Sequence, residues 1–288
     1  MNAKLRSTLL HLRFPFSFFL LPIYLAALAA VSFEAGKALA VFAIFHLLLY
    51  PASNGFNSYF DKDEGPIGGL ALPPPVSRSL LFAALSLDAV ALVFSFAVSP
   101  ACGAAALVYG TASKLYSWDR VRIKRLPVTG WLMTGLGQGA FTFLCMAFVS
   151  AGRGPAGLGA SAYSGALLIT LFLLGVYPLT QIYQHGEDAR RGDLTISRLL
   201  GIRGTLVLAA AFLGAATTGF CAWTAALGGP WWAAAFLFAQ LPALFYFLRW
   251  TYRVFRDERA ADHRSTMRMN LIASSFMSLY FALFLIFR

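Results

Sequence analysis

Long apolar runs alternate with short polar breaks nine times along the chain. The runs span about 14–33, 38–57, 79–99, 101–117, 131–151, 164–184, 205–227, 231–252 and 270–287. Each is close to the roughly 20 residues a helix needs to cross a hydrocarbon core about 30 Å thick. The fourth is the shortest and holds Gly103 and Gly110. In lipid only helices or closed barrels satisfy every backbone polar group, so the pattern predicts an all-α polytopic membrane bundle of about nine transmembrane helices, with residues 1–288 as one domain. The first run follows Lys4, Arg6 and Arg13, as in a signal peptide. It is long, however, and no small-residue cleavage site stands out before Glu34, so it reads as a retained helix.

Composition agrees: hydrophobic residues make up 59% of the chain, charged residues 12%, and the mean hydropathy is +0.68, against about 25% charged in soluble domains. Lys and Arg accumulate in short cytoplasmic loops. With the N-terminus inside and nine crossings, 20 of the 23 basic residues fall on the cytoplasmic side, and only Lys37, Arg153 and Arg288 do not. The net charge of +11 therefore describes a cytoplasmic face attracted to anionic membrane lipid. Nothing calls for nucleic acid. Cys102, Cys145 and Cys221 lie in or beside apolar runs without a CxxC or Cys/His grouping and read as buried thiols.

Three polar clusters sit where runs end: Asn57 to Glu64, Tyr109 to Lys114, and Gln184 to Thr195. Asn57 and Asp61 are four residues apart and share a helix face, with Asp63 and Glu64 following. Such oxygen ligands suit Mg²⁺, which takes one or two carboxylates and completes its shell with water and phosphate oxygens; a solvated acidic loop is the alternative. Gln184 and Asp188 repeat the spacing, with Glu187 beside them and Arg190 and Arg191 after. Lys114, Arg120, Arg122, Lys124 and Arg125 reach the same face. Carboxylates that hold a metal, together with cations that grip oxyanions, are what a diphosphate requires.

Asn57-x-x-x-Asp61, Tyr109 to Lys114 with Lys124-Arg125-x-Pro127, and Asp188-x-x-x-Gly192-x-x-Thr195 before Leu199-Leu200-Gly201 resemble the UbiA superfamily of intramembrane prenyltransferases over most of the chain. The resemblance implies that a polyprenyl diphosphate binds through Mg²⁺ and passes its prenyl group to an aromatic or other lipophilic acceptor. It differs at three points: Gly65 and Gln184 stand where that pattern has Asp, and Ser58 where Asp is common. The implied metal ligands are Asn57, Asp61 and Asp188, with Asp63, Glu64 and Glu187 as auxiliary carboxylates. Tyr109, Arg190 and Arg191 bind substrate, and Lys114 is the diphosphate clamp.

Asp88 lies mid-run, where a charge costs roughly 2.5–3.5 kcal/mol even on the lenient insertion scale, so it should face the bundle interior or a wet cavity, as a structural or an active carboxyl. His46 reads as a packed histidine, and Gln138 among glycines as interhelical glue or a site residue. The uncharged stretch from Gly65 to Pro75 reads as a lid or a rigid connector. The leading expectation is an Mg²⁺-dependent prenyltransferase in a bacterial inner (plasma) membrane, with site loops and N-terminus cytoplasmic and the C-terminus outside. The rival is a non-catalytic lipid-diphosphate binder, or a small-solute transporter with Asp88 on its path.

Overall fold

The computed structural model describes residues 2–288. Among these the only β pairing is an isolated bridge between Ile67 and Leu70. Eight helices are long and apolar enough to cross a membrane: α1 (Ala3–Ala29), α2 (Ala35–Asp61), α3 (Arg78–Val98), α5 (Pro127–Ser150), α6 (Ala160–Arg191), α7 (Ile196–Gly228), α8 (Pro230–Arg256) and α9 (His263–Phe287). Between α3 and α5 runs α4 (Pro100–Ser117). At 1.5 Å per residue its 18 residues span about 27 Å, so it crosses with its neighbours although Gly103, Gly110 and Lys114 dilute its hydropathy. The chain is an integral membrane protein.

Consecutive helices pack side by side from α1 round to α9, and α9 returns to α1, while α5 also packs on α1 and α2 across the middle. Short connections force adjacent helices to run antiparallel. The connections 62–77, 118–126, 192–195 and 257–262 therefore gather at one end of the bundle, where the ion pairs described below join the first three. At the opposite end Glu34 donates its N–H to the carbonyl of Ser150 (2.8 Å) and Arg288 reaches that of Ala29 (2.6 Å).

Two helices begin nine or more residues before their apolar runs. α1 starts at Ala3, capped by Asn2, because Ser7, Thr8 and His11 have partners in the α2–α3 connection: Ser7 donates to Pro75 O (2.8 Å), His11 Nε2 to Pro74 O (2.7 Å), and the hydroxyls of Thr8 and Ser79 meet at 3.0 Å. Arg13, at φ 49°, then breaks the helix, and a 3₁₀ turn over Phe14–Leu20 precedes its resumption. α7 starts at Ile196 instead of 205. The break shows as Gly201, whose φ of 70° and ψ of 173° lie outside helical space and suit glycine. Thr205 Oγ1 bridges the kink to Gly201 O (2.7 Å) and Ser197 Oγ (3.0 Å).

Two further irregularities shape the interior. π-helical turns occur at Ala43–Leu49 in α2 and Gly135–Phe141 in α5, a feature frequent near functional sites. Gly139 lets α5 touch α6 backbone to backbone: a Cβ there would lie 2.9 Å from Thr170 Cα, and the Thr170 hydroxyl accepts from Ala140 N (3.0 Å). Small residues thus hold the two helices together, which leaves Gln138 to face the cavity. His46 is buried and stacked on Phe42, with Tyr24 and Tyr50 at its edges.

Candidate active site

A cavity of about 280 Å³ opens at the end where α2, the α4–α5 connection and α6 converge, lined from α1, α2, α4, α5, α6 and α9. Its interior is apolar and aromatic, with Phe16, Phe19, Leu20, Tyr50, Tyr109, Met133, Phe172 and Val176. Arg13, Asp61, Asp63, Lys124, Asp188, Arg191 and Asp193 supply its charged groups. An apolar pocket with a few convergent polar groups is the usual form of a ligand site.

Asp61, the last residue of α2, is buried at 3% exposure and enclosed by cations. Oδ1 accepts from Arg122 (3.1 Å) and Arg191 (3.3 Å), while Oδ2 meets Lys124 Nζ at 2.5 Å. Arg122 also grips Asp193 with two parallel bonds, Nε to Oδ1 at 2.8 Å and Nη2 to Oδ2 at 2.7 Å. Such a planar fork matches a carboxylate. Burial opposes the guanidinium charge, yet Asp193, Asp61 and Asp119 outweigh it and hold the Arg122 pKa above its usual value. The arrangement ties α2, the α4–α5 connection and the start of α7 into one unit.

Asp63 and Asp188 are arranged differently. Among the described residues the Asp63 carboxylate has no ion pair or hydrogen bond, and the Asp188 carboxylate accepts only from the Thr195 hydroxyl, at 3.4 Å. Burial, and then the neighbouring Asp61 charge, push the Asp63 carboxyl up to about 6, against the pull of Lys124 and Arg191. Asn57, whose Nδ2 donates to Ser117 Oγ (2.9 Å), keeps its amide oxygen without a hydrogen bond among the described residues. No group of three His, Cys, Asp or Glu close enough to hold a metal occurs among the described residues. The oxygens of Asp63, Asp188 and Asn57 nevertheless fit Mg²⁺, which needs only one or two carboxylates when phosphate completes its shell. Charge points the same way. Four carboxylates (Asp61, Asp63, Asp188, Asp193) and three cations (Arg13, Lys124, Arg191) give the lining a formal charge of −1, so a polyanion needs a metal beside it.

Of the residues singled out by sequence, Asn57, Asp61, Asp63, Tyr109, Asp188 and Arg191 line the cavity, and Lys114, Glu64, Glu187 and Arg190 do not. Lys114, expected as the diphosphate clamp, is turned away from the cavity. Its ammonium turns to Asp88 on α3 and lies 5.3 Å from the Phe56 ring centroid, because pairing satisfies two charges that would otherwise be costly inside the membrane. Glu187, expected as an auxiliary metal ligand, has other partners here: Oε1 accepts the Gly65 N–H (2.9 Å) and meets Arg190 at 2.5 Å. That pairing leaves Arg190 exposed and away from the cavity, while Glu64 points to solvent. Lys124, not Lys114, is the lysine in the cavity lining. Arg13 and Asp193 are the other charged cavity residues that motif reading passed over; Arg13 counted there only as a topology signal, yet it donates to Gly68 O (3.1 Å) and Asn54 O (3.3 Å).

The stretch from Gly65 to Pro75 crosses the cavity rim, with Ile67 and Gly68 in the lining. His263 Nε2 donates to Ile67 O (3.0 Å), and Gly69 N–H points to Met267 Sδ (3.3 Å). With Arg13 and Glu187, these contacts fasten the connection to α1, α6 and α9.

A bundle of membrane-crossing helices around an apolar cavity with a charged rim defines the class: an intramembrane site for an amphiphile with a polar head. Within that class the chain belongs to the UbiA prenyltransferase family, whose model matches residues 18–272. The chemistry of that family is prenyl transfer within the membrane. Among solved structures, the apo UbiA homolog from Aeropyrum pernix K1 is 18% identical, with a TM-score of 0.70 over 95% of this chain and 99% of that one. The UbiA homolog from Archaeoglobus fulgidus bound to GPP and Mg²⁺ is 15% identical, with a TM-score of 0.66 over 96% and 98%. A digeranylgeranylglyceryl phosphate synthase structure is 15% identical, with a TM-score of 0.63 over 98% of both chains. No curated protein matches in sequence.

Proposed function

We propose that this chain transfers a prenyl group from a polyprenyl diphosphate to a lipophilic acceptor, with residues 1–288 acting as one domain. The observation that carries the reading is a single cavity in which carboxylates without cation partners and cations share a rim over an aromatic interior. The Archaeoglobus homolog holds GPP and Mg²⁺, which is the ligand pair this donor set suits.

Asp63, Asp188 and the Asn57 amide oxygen would hold Mg²⁺ together with the diphosphate, and the bound ion would supply charge neutralisation for the diphosphate leaving group. Lys124, Arg191 and Arg13 contact its remaining oxygens. Asp61 is a positioning residue in this scheme: it fixes Lys124 and Arg191, and Arg122 fixes Asp61. The prenyl chain lies among Phe16, Phe19 and Phe172, where water is scarce and ring faces stabilise the allylic cation. The rim faces the cytoplasm in this reading, which the 20-to-3 partition of Lys and Arg supports.

The test uses purified protein, geranyl diphosphate, and EDTA or Mg²⁺, with and without lipophilic acceptors. Release of inorganic diphosphate that needs both Mg²⁺ and an acceptor supports the reading. Mg²⁺-dependent binding without release under any acceptor identifies a non-catalytic diphosphate binder. Absence of binding overturns the site.

A further inference from the structure

Outside the cavity, α8 and α9 form a second groove of about 570 Å³ beside the 257–262 connection. Arg249 and Arg253 are four residues apart on α8, and Arg264 and Arg268 four apart on α9, so each pair shares a helix face. All four line the groove. All four are exposed, and among the described residues none has an ion pair. Three neighbouring arginines do have partners: Arg203 pairs with Glu258 (3.1 Å), Arg259 with Asp257 (3.1 Å), and Arg256 stacks on Tyr252 at 4.7 Å. The one acid in the groove, Asp262, already caps α9 by accepting from Ser265 N–H (2.6 Å). Four cations and one carboxylate leave the lining at a formal charge of +3.

The groove is also graded in depth. One helical turn into the bundle from Arg249 is Phe245, and one turn beyond Arg268 is Ile272, both in the lining. Phe245 is 69% exposed, as are neighbouring Leu241 and Leu248 at more than half, so this face of α8 meets acyl chains. Basic pockets between transmembrane helices at the membrane surface suit anionic head groups, and guanidinium forks suit phosphate oxygens.

We infer that the α8–α9 groove binds an anionic phospholipid of the surrounding leaflet, its phosphate held by Arg249, Arg253, Arg264 and Arg268 and an acyl chain along Phe245 and Ile272. The site is separate from the cavity and does not depend on the prenyl-transfer reading. A lipid bound there would fasten α8 to α9, whose His263 and Met267 hold the rim connection.

Native mass spectrometry of the purified full chain with phosphatidylglycerol or phosphatidylcholine of identical acyl chains tests this. Phosphatidylglycerol should be retained at least tenfold better. Replacing all four arginines with Gln should abolish the preference, replacing them with Lys should keep most of it, and an Arg203/Arg256/Arg259→Gln variant should keep all of it. Millimolar inorganic phosphate should not displace the lipid. Equal retention of both lipids, an unchanged preference in the four-Gln variant with retained helical signal, an equal loss in the Arg203/Arg256/Arg259 variant, or complete displacement by free phosphate would each overturn the inference.

Discussion

Asp61 and Asp88 are both carboxylates met by lysines in a lipid-embedded bundle, yet they serve different ends. Asp61 sits where three segments meet and has three cations around it, one of them shared with a second buried acid. Asp88 has one partner, Lys114, and joins only two neighbouring helices. A buried charge must be matched wherever it lies. The Asp61 cations Lys124 and Arg191 also line the cavity, where they can meet a ligand, whereas Asp88 and Lys114 lie outside its lining and join α3 to α4.

The sharpest way to break that contrast is Arg122→Met. It strips the bidentate partner from Asp193 and one donor from Asp61, both nearly fully buried. Removing one partner of a buried ion pair costs about 3–5 kcal/mol, so thermal unfolding in detergent should shift down sharply, with diphosphate binding lost as well. If Arg122→Met unfolds at the wild-type temperature, the network does not join the three segments.

Asp188→Asn should behave in the opposite way. With no cation partner to lose, it should leave the melting temperature within about 2 °C, a change of less than roughly 1 kcal/mol for a domain of this size. Mg²⁺-dependent geranyl diphosphate binding should nonetheless fall at least tenfold, as calorimetry would show. Undiminished joint binding would remove Asp188 from the metal set.

The nine crossings, the convergent ends and the acidic residues were legible because hydropathy and spacing are local signals. Which cation turns inward was not. Lys114 and Lys124 are both lysines within the motifs; where each points is set by Asp88 on one side and Asp61 on the other, which are tertiary facts. Glu187 illustrates the same limit, since its competitor for a metal is the backbone N–H of Gly65, a partner 122 residues away. Asp88, left open between structure and function by depth alone, has its partner in Lys114, a lysine one helix over.

Lys114→Met sharpens the contrast from the other side. Alone it leaves Asp88 unmatched and should destabilise the protein by a few kcal/mol, while the double variant Lys114→Met/Asp88→Leu should recover most of that loss. Diphosphate binding by the double variant should stay within about threefold of wild type. A tenfold or greater loss in the stable double variant would return Lys114 to the site.

The smallest effect belongs to Asp63→Asn. Asp63 has its carboxyl held up to about 6 by burial and by Asp61, whereas an unfolded Asp titrates near 3.9. Below about pH 4 the group is protonated in both states and contributes nothing. Between about pH 4 and 6 the unfolded chain releases the proton while the folded chain keeps it, so stability falls as pH rises. Above about pH 6 the deficit is constant, because the ionised carboxylate is then poorly accommodated in the metal-free fold. Asparagine removes that ionisation. In EDTA the variant should therefore match wild type near pH 4 and exceed it at pH 7.5 by about 1 kcal/mol, with joint Mg²⁺ and geranyl diphosphate binding weakened. That gain is well below the roughly 3 kcal/mol that the full shift implies, because a half-buried carboxylate stays partly solvated. A variant less stable than wild type at pH 7.5 would show that Asp63 is matched within the fold and is not held for a ligand.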